Sequence, residues 1–169
     1  MINPYLERTI SYGENQFAYR EKRGSRDVLA LLVLEWMQVF DRRGNIAVYC
    51  SDVAGAFDRV DSKRLAAKLK AKGLNKRIVQ LLMSWLEARI AKVVVGGEFS
   101  NEFEFINQIF QGTVLGPSLW NLFFEDSCLP IRRAGFHEIT FADDLNAWRE
   151  FDSNIRNTTI IKHGKKCQD

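Results

Sequence analysis

The sequence predicts an α+β domain in which helices pack on one face of an antiparallel sheet and leave the other to hold a substrate. Three observations carry that expectation. Short runs rich in β-branched and aromatic residues, such as Ile46–Ser51, are interspersed with longer stretches of helical periodicity. Two pairs of strand-like runs face each other across turns, as antiparallel neighbours do. The 169 residues are 46% hydrophobic and 27% charged, which is enough apolar surface for one core.

Residues 1–26 are polar and irregular, with a basic cluster at Arg20, Lys22, Arg23 and Arg26. Asp27–Phe40 is predicted helical, capped by Ser25 or Asp27 and ended by Gly44. Its run Val28–Leu34 is apolar on nearly every face, the pattern of a helix inside a core. A strand follows at Ile46–Asp52, then a turn at Ala54-Gly55-Ala56. Asp61 or Ser62 starts a second helix that ends at Gly73, and Asn75 caps a third carrying Ile78, Leu81, Leu82 and Trp85. Lys92–Val95 and Glu102–Phe105 form a hairpin around the loop Gly96–Asn101. Gly116-Pro117 opens a fourth helix running through Trp120, Phe123 and Phe124 towards Pro130. The last hairpin pairs Glu138–Ala142 with Leu145–Glu150 about a turn at Asp143-Asp144.

Composition excludes several classes. An apolar fraction this high is not that of a disordered chain, no apolar run is long enough for a membrane span, and the first residues, Met1–Arg8, lack the continuous apolar run of a signal peptide. The three cysteines, Cys50, Cys128 and Cys167, are odd in number and far apart, and only two histidines accompany them. That argues against a disulfide framework and against zinc, and points to a reduced intracellular compartment. A net charge of +3 is only mildly basic and does not by itself indicate nucleic acid.

Three acids stand out by position. Asp52 ends an otherwise apolar strand, and Asp143 and Asp144 occupy the predicted turn. If the strands are neighbours, Asp52 and Asp143 converge at one end of the sheet. Converging carboxylates repel unless a cation lies between them, and hard oxygen ligands select Mg²⁺. Two such ions would activate a hydroxyl and stabilise a leaving oxygen in phosphoryl transfer. Taken alone, the same acids fit an exposed turn and a turn cap equally well. The balance shifts with Gln111-Gly112-Thr113-Val114-Leu115-Gly116-Pro117, where two glycines around a helix start let backbone approach a ligand.

Ser51-Asp52-Val53-Ala54-Gly55-Ala56-Phe57-Asp58, the Gln111–Pro117 segment and Phe141-Ala142-Asp143-Asp144 resemble, in order, motifs A, B and C of reverse transcriptases. Asn15–Ser25 resembles the fingers motif 2, and Phe141–Asp144 points to the non-LTR retrotransposon type. The resemblance covers about residues 14–150. It implies a right-hand polymerase palm, with 1–44 as a partial fingers segment and 45–169 as palm carrying motifs A, B, C and the start of D. It also implies RNA-directed DNA polymerisation: two-metal transfer of a nucleotidyl group from a dNTP to a DNA primer 3′-hydroxyl on an RNA template.

The resemblance further implies roles. Asp52, Asp143 and Asp144 would bind two Mg²⁺ ions, for which Mn²⁺ could substitute, with the carbonyl of Val53 as a further ligand. Phe57 would lie under the incoming sugar and exclude a 2′-hydroxyl. Gln111 and Gly112 would contact the incoming nucleotide and its template partner, and Arg20 would pair with triphosphate oxygens. Phe57 fits a plain core position as well, and Arg20 a solvated basic face.

Departures accompany the matches. No counterpart of the fingers motif 1 precedes residue 14, motif 2 reads Arg20-Glu21-Lys22 without a following proline, and Asn107-Gln108-Ile109-Phe110 precedes Gln111 in place of a glycine-containing lead-in. No thumb, endonuclease or RNase H segment follows, so a truncated retrotransposon-derived chain is the expectation. A non-catalytic RNA-binding palm remnant and a group II intron-type maturase fragment are the alternatives. Nuclear placement is implied by the retrotransposon resemblance alone.

Overall fold

A computed structural model of the chain describes residues 2–87, 89–105, 107–152 and 154. In chain order come α1 (Ile2–Arg8), α2 (Ser25–Asp41), β1 (Asn45–Ser51), a short 3₁₀ turn (Ala56–Arg59), α3 (Ser62–Ala71) and α4 (Lys76–Leu86). Four short strands follow: β2 (Arg89–Ala91), β3 (Val94–Val95), β4 (Glu98–Phe99) and β5 (Phe103–Phe105). The remainder is α5 (Gly116–Phe124), a second 3₁₀ turn (Glu125–Cys128), α6 (Leu129–Arg133), β6 (His137–Phe141) and β7 (Asp144–Phe151). The start of motif D falls after Phe151, largely outside the described residues.

Two compact units share the chain, each built from two stretches: Met1–Ser11 with Gly55–Phe123, and Tyr12–Ala54 with Phe124–Asp169. Neither is bounded at residue 44.

The second unit holds a three-stranded sheet in the order β1-β7-β6, every pair antiparallel. Side chains alternate between its faces. Ile139 and Trp148 pack against Val28 and Leu32 of α2, with Phe17, Trp36, Ile46 and Phe141 around them. On the other face Leu145, Ala147 and Thr140 are buried as well. Gly44 stands where α2 meets the sheet. A Cβ there would lie 2.8 Å from Val39 Cγ1 and 3.3 Å from the Phe151 carbonyl.

Local chemistry accounts for the helix starts. Asp61 accepts from Arg64 N–H and caps α3, and Asn75 accepts from Arg77 N–H and caps α4. Gly24 is the cap position of α2, with its N–H donating to Asp27 Oδ2 at 2.7 Å.

Several expectations are corrected. Helix α2 is not enclosed: Leu29, Val33, Leu34, Met37 and Phe40 are exposed, and only Val28, Leu32 and Val39 are buried. An all-apolar wheel says nothing of how many neighbours a helix has. Residues 2–8 are helical rather than irregular, because Leu6 is fully buried and Tyr5 donates to the Lys72 carbonyl. In place of one hairpin with a six-residue loop, β2 pairs with β5, and β3 with β4 across Gly96-Gly97. Both glycines have positive φ (59° and 90°), the requirement of a two-residue type I′ turn. Helix α5 stops at Phe124, and Pro130 sits in the first turn of α6 rather than ending a helix.

Candidate active site

Strands β1 and β7 bring two of the acids together. Ser51 pairs with Leu145, so one residue beyond on each strand stand Asp52 and Asp144. Both line one cavity of about 500 Å³, together with Ser25, Val28 and Leu29 of α2, Cys50, Phe141 and Asn146. The cavity therefore opens beside the first turn of α2. Both carboxylates are exposed, and Cys50 Sγ donates to Asn146 Oδ1 at 3.2 Å on the rim.

The turn of the hairpin lies one residue earlier than expected, so Leu145 faces Thr140 rather than Ala142. Phe141 pairs with Asp144, which leaves Ala142 and Asp143 as the two turn residues. Ala142 has φ of 58°, and Asp143 does not share the positive sign, the pattern of a type II′ turn. Asp144 is thus the first residue of β7, and Asp143, half-buried in the turn, is not part of the cavity wall. Among the described residues no group of three or more His, Cys, Asp or Glu is gathered closely enough to hold a metal ion. The donors fit a hard divalent cation in kind: the aspartate carboxylates, with the Val53 carbonyl next in the chain.

Arg20 lies in the same unit. Its Nη1 donates to the Gly13 carbonyl at 2.7 Å and to the Gln16 carbonyl at 3.1 Å, and its guanidinium sits over the Tyr12 ring.

The other candidates belong to the first unit. Phe57 is half-buried and stacks on Trp120, with ring centres 5.6 Å apart and planes 23° from parallel. Its carbonyl accepts from Ile109 N–H at 2.8 Å, tying the motif A turn to the lead-in of motif B. Gln111 and Gly112 are exposed in the loop that follows, and Val114 there is 94% exposed. Gly112 has φ of 76° and open space where a Cβ would be. At Gly116, by contrast, a Cβ would lie 2.9 Å from Thr113 Oγ1 and 3.1 Å from the Phe110 carbonyl.

A second charged group lies in the sheet unit. Glu138 is buried and accepts at Oε1 from Arg132 Nε at 2.7 Å and from Asn15 Nδ2 at 3.0 Å. Burial, and then the negative charge of Glu138, push the Cys128 thiol up to about 12. That cysteine is inert at neutral pH. Residue types alone could not reveal this group, since Cys128 and Glu138 carry no motif.

The sequence is similar to known polymerases. The family model described as reverse transcriptase (RNA-dependent DNA polymerase) matches residues 1–167. The RNA-directed DNA polymerase from mobile element jockey of Drosophila funebris is 31% identical over 138 residues, covering 77% of this chain and 15% of that protein. The Pol polyprotein from the type-1 retrotransposable element R2 of Popillia japonica is 25% identical over 119 residues, covering 63% of this chain and 19% of that protein. The chain thus spans less than a fifth of the length of these relatives. In structure it is similar to a telomerase of Candida albicans solved with a fragment of telomeric RNA, at a TM-score of 0.67 and 13% identity, covering 95% of this chain and 30% of that one. An apo telomerase of Candida tropicalis gives a TM-score of 0.65 at 12% identity, covering 99% of this chain and 35% of that one. At such identities the likeness is one of fold.

Proposed function

This chain belongs to the reverse transcriptase (RNA-dependent DNA polymerase) family, and we propose that it acts as the palm, with part of the fingers, of a non-LTR-type RNA-directed DNA polymerase. The observation that carries the reading is the pair Asp52 and Asp144 on one cavity at the end of two antiparallel strands. In the reaction the primer 3′-hydroxyl oxygen attacks the α-phosphorus of a dNTP. A bond to that oxygen forms, the bond to pyrophosphate breaks, and the hydroxyl proton passes to solvent water. Asp52, Asp143, Asp144 and the Val53 carbonyl would hold two Mg²⁺ ions, or Mn²⁺ in their place. When bound, such cations raise the acidity of the attacking hydroxyl and stabilise the leaving oxygen.

The remaining residues bind and select. Gln111 and Gly112 lie in an exposed loop, and the open space at Gly112 would let backbone approach the incoming nucleotide and its template partner. Phe57, backed by Trp120, offers a ring with little freedom to retreat, which suits exclusion of a 2′-hydroxyl. Arg20, anchored on the Gly13 and Gln16 carbonyls, would pair with triphosphate oxygens through its guanidinium. The RNA template and DNA primer are held through backbone and 2′-hydroxyl contacts of an A-like hybrid.

One observation favours a second reading, a palm that binds RNA without turnover: no three acids are gathered among the described residues. Primer extension on an RNA template with Mg²⁺ and dNTPs, beside Asp143→Asn, decides between them. Extension abolished by the substitution supports the polymerase. Equal background from both supports the binding palm.

A further inference from the structure

We propose that Gln16 is a positioning residue that clamps the Ala142-Asp143 turn and so sets the place of Asp143 and Asp144. The role of these two acids rests on the reading above; the clamp itself rests on the following geometry.

In the sheet order β1-β7-β6 the outer edge of β6 is covered by the segment around Gln16. Gln16 forms a parallel bridge with Thr140, Phe17 N–H donates to the Thr140 carbonyl at 2.9 Å, and Thr140 N–H donates to the Asn15 carbonyl at 2.9 Å. This pairing brings the Gln16 side chain, only 4% exposed, against the turn. Its Oε1 accepts from Ala142 N–H at 2.9 Å and from Ala18 N–H at 3.0 Å, and its Nε2 donates to the Ala142 carbonyl at 3.0 Å.

A buried amide is costly without partners, and an apolar side chain would fill the same space. Here both polar groups of one residue, Ala142, are held by one side chain. That residue has φ of 58°, a left-handed conformation that disfavours a residue bearing a Cβ. Nothing within Ala142 holds it there. Gripping its N–H and carbonyl together fixes the two peptide planes that flank it, and the second of them leads directly into Asp143. The strained turn and the glutamine 126 positions away form one device.

The test uses Gln16→Met, which keeps the volume and removes all three bonds. Gln16→Glu keeps both accepted bonds but sets a buried carboxylate oxygen against the Ala142 carbonyl in place of the donation. Amide exchange of residues 142–144 is measured alongside broadening of the Asp143 and Asp144 amide signals by Mn²⁺. In Gln16→Met, protection at the turn is expected to fall about tenfold, while Ala147 and Trp148 in mid-strand keep theirs. The Mn²⁺ midpoint at Asp143 and Asp144 is expected to rise about tenfold. Gln16→Glu is expected to lose protection at the turn as well. Unchanged protection in both variants overturns the clamp. Lost protection with an unmoved Mn²⁺ midpoint overturns the positioning role. Should Gln16→Met fail to fold, native values in Gln16→Glu overturn the proposal and a loss confined to the turn supports it.

Primer extension by the same proteins separates the two readings. A native chain that neither extends primer nor responds to Mn²⁺ sinks the polymerase reading and, with it, the positioning role. Lost protection would in that case support the clamp as a structural device alone.

Discussion

Phe57 occupies a position with two demands on one ring. Stacked on Trp120 and half-buried, it contributes packing, and in the proposed function it would also offer a surface to the incoming sugar. Phe57→Ala is expected to lower stability by about 2 kcal/mol, less than a fully buried ring would, and to let the enzyme incorporate rNTPs. Thermal unfolding and a dNTP-against-rNTP extension ratio measure the two effects separately; an unchanged ratio would remove Phe57 from sugar selection. Cys128 makes a prediction in pH. Its thiol is raised from 9.0 to about 12 in the folded chain, chiefly by burial. The native state then keeps a proton that the unfolded chain releases above about pH 9. Its contribution to stability is complete below pH 9 and is lost as pH rises towards 12. The unfolding midpoint should fall over that interval, and the fall should be shallower in Cys128→Ala. Equal slopes would show that the thiol does not govern alkaline stability.

At the scale of elements, two glycines act for different reasons. Gly44 gives space: a Cβ would press on Val39 and on the Phe151 carbonyl. Gly44→Ala should destabilise by about 1–3 kcal/mol, as overpacking does, by separating the end of α2 from the sheet. Gly97 gives conformation: its φ is 90° and nothing lies within 4 Å of a Cβ there. Gly97→Ala should disturb only the short β3–β4 ladder and leave the melting temperature of the chain nearly unmoved. Circular dichroism melts of the two variants distinguish space from strain, and similar losses would contradict the distinction. The Gly-Gly signal for that tight turn stands in the sequence, whereas the strand Glu98–Phe99 that pairs with Val94–Val95 lies in the expected loop.

Charge matters at the scale of the whole molecule. The stretch 59–77 holds eight Lys or Arg against the single Asp61, a net of +7, whereas the full chain carries +3. The rest of the chain is therefore net −4. Lys70 and Lys76, from α3 and α4, line one groove of about 310 Å³. If the chain holds a template–primer, Lys70→Gln with Lys76→Gln should reduce the slope of log affinity against log salt by about 2. Removing the same charge with Arg43→Gln and Arg133→Gln should change it less. Anisotropy titrations at several salt concentrations measure both, and equal slopes would place no phosphate at this groove.

Features that depend on neighbours in the chain were legible in the sequence. The caps Asp61 and Asn75 are local hydrogen bonds, Asp52 is an acid at the end of an apolar strand, and the order of the three motifs needs no coordinates. The α+β class followed from the same local periodicities. Other features depend on residues far apart, and only the tertiary structure decided them. Burial of one face of α2 and exposure of the other depend on where the sheet lies. The one-residue shift that places Asp144 on β7 follows from cross-strand pairing, and a left-handed Ala142 depends on Gln16 reaching it across the fold. Local interactions are written in adjacent residues, whereas a turn held by a distant amide exists only once the chain has brought the two together.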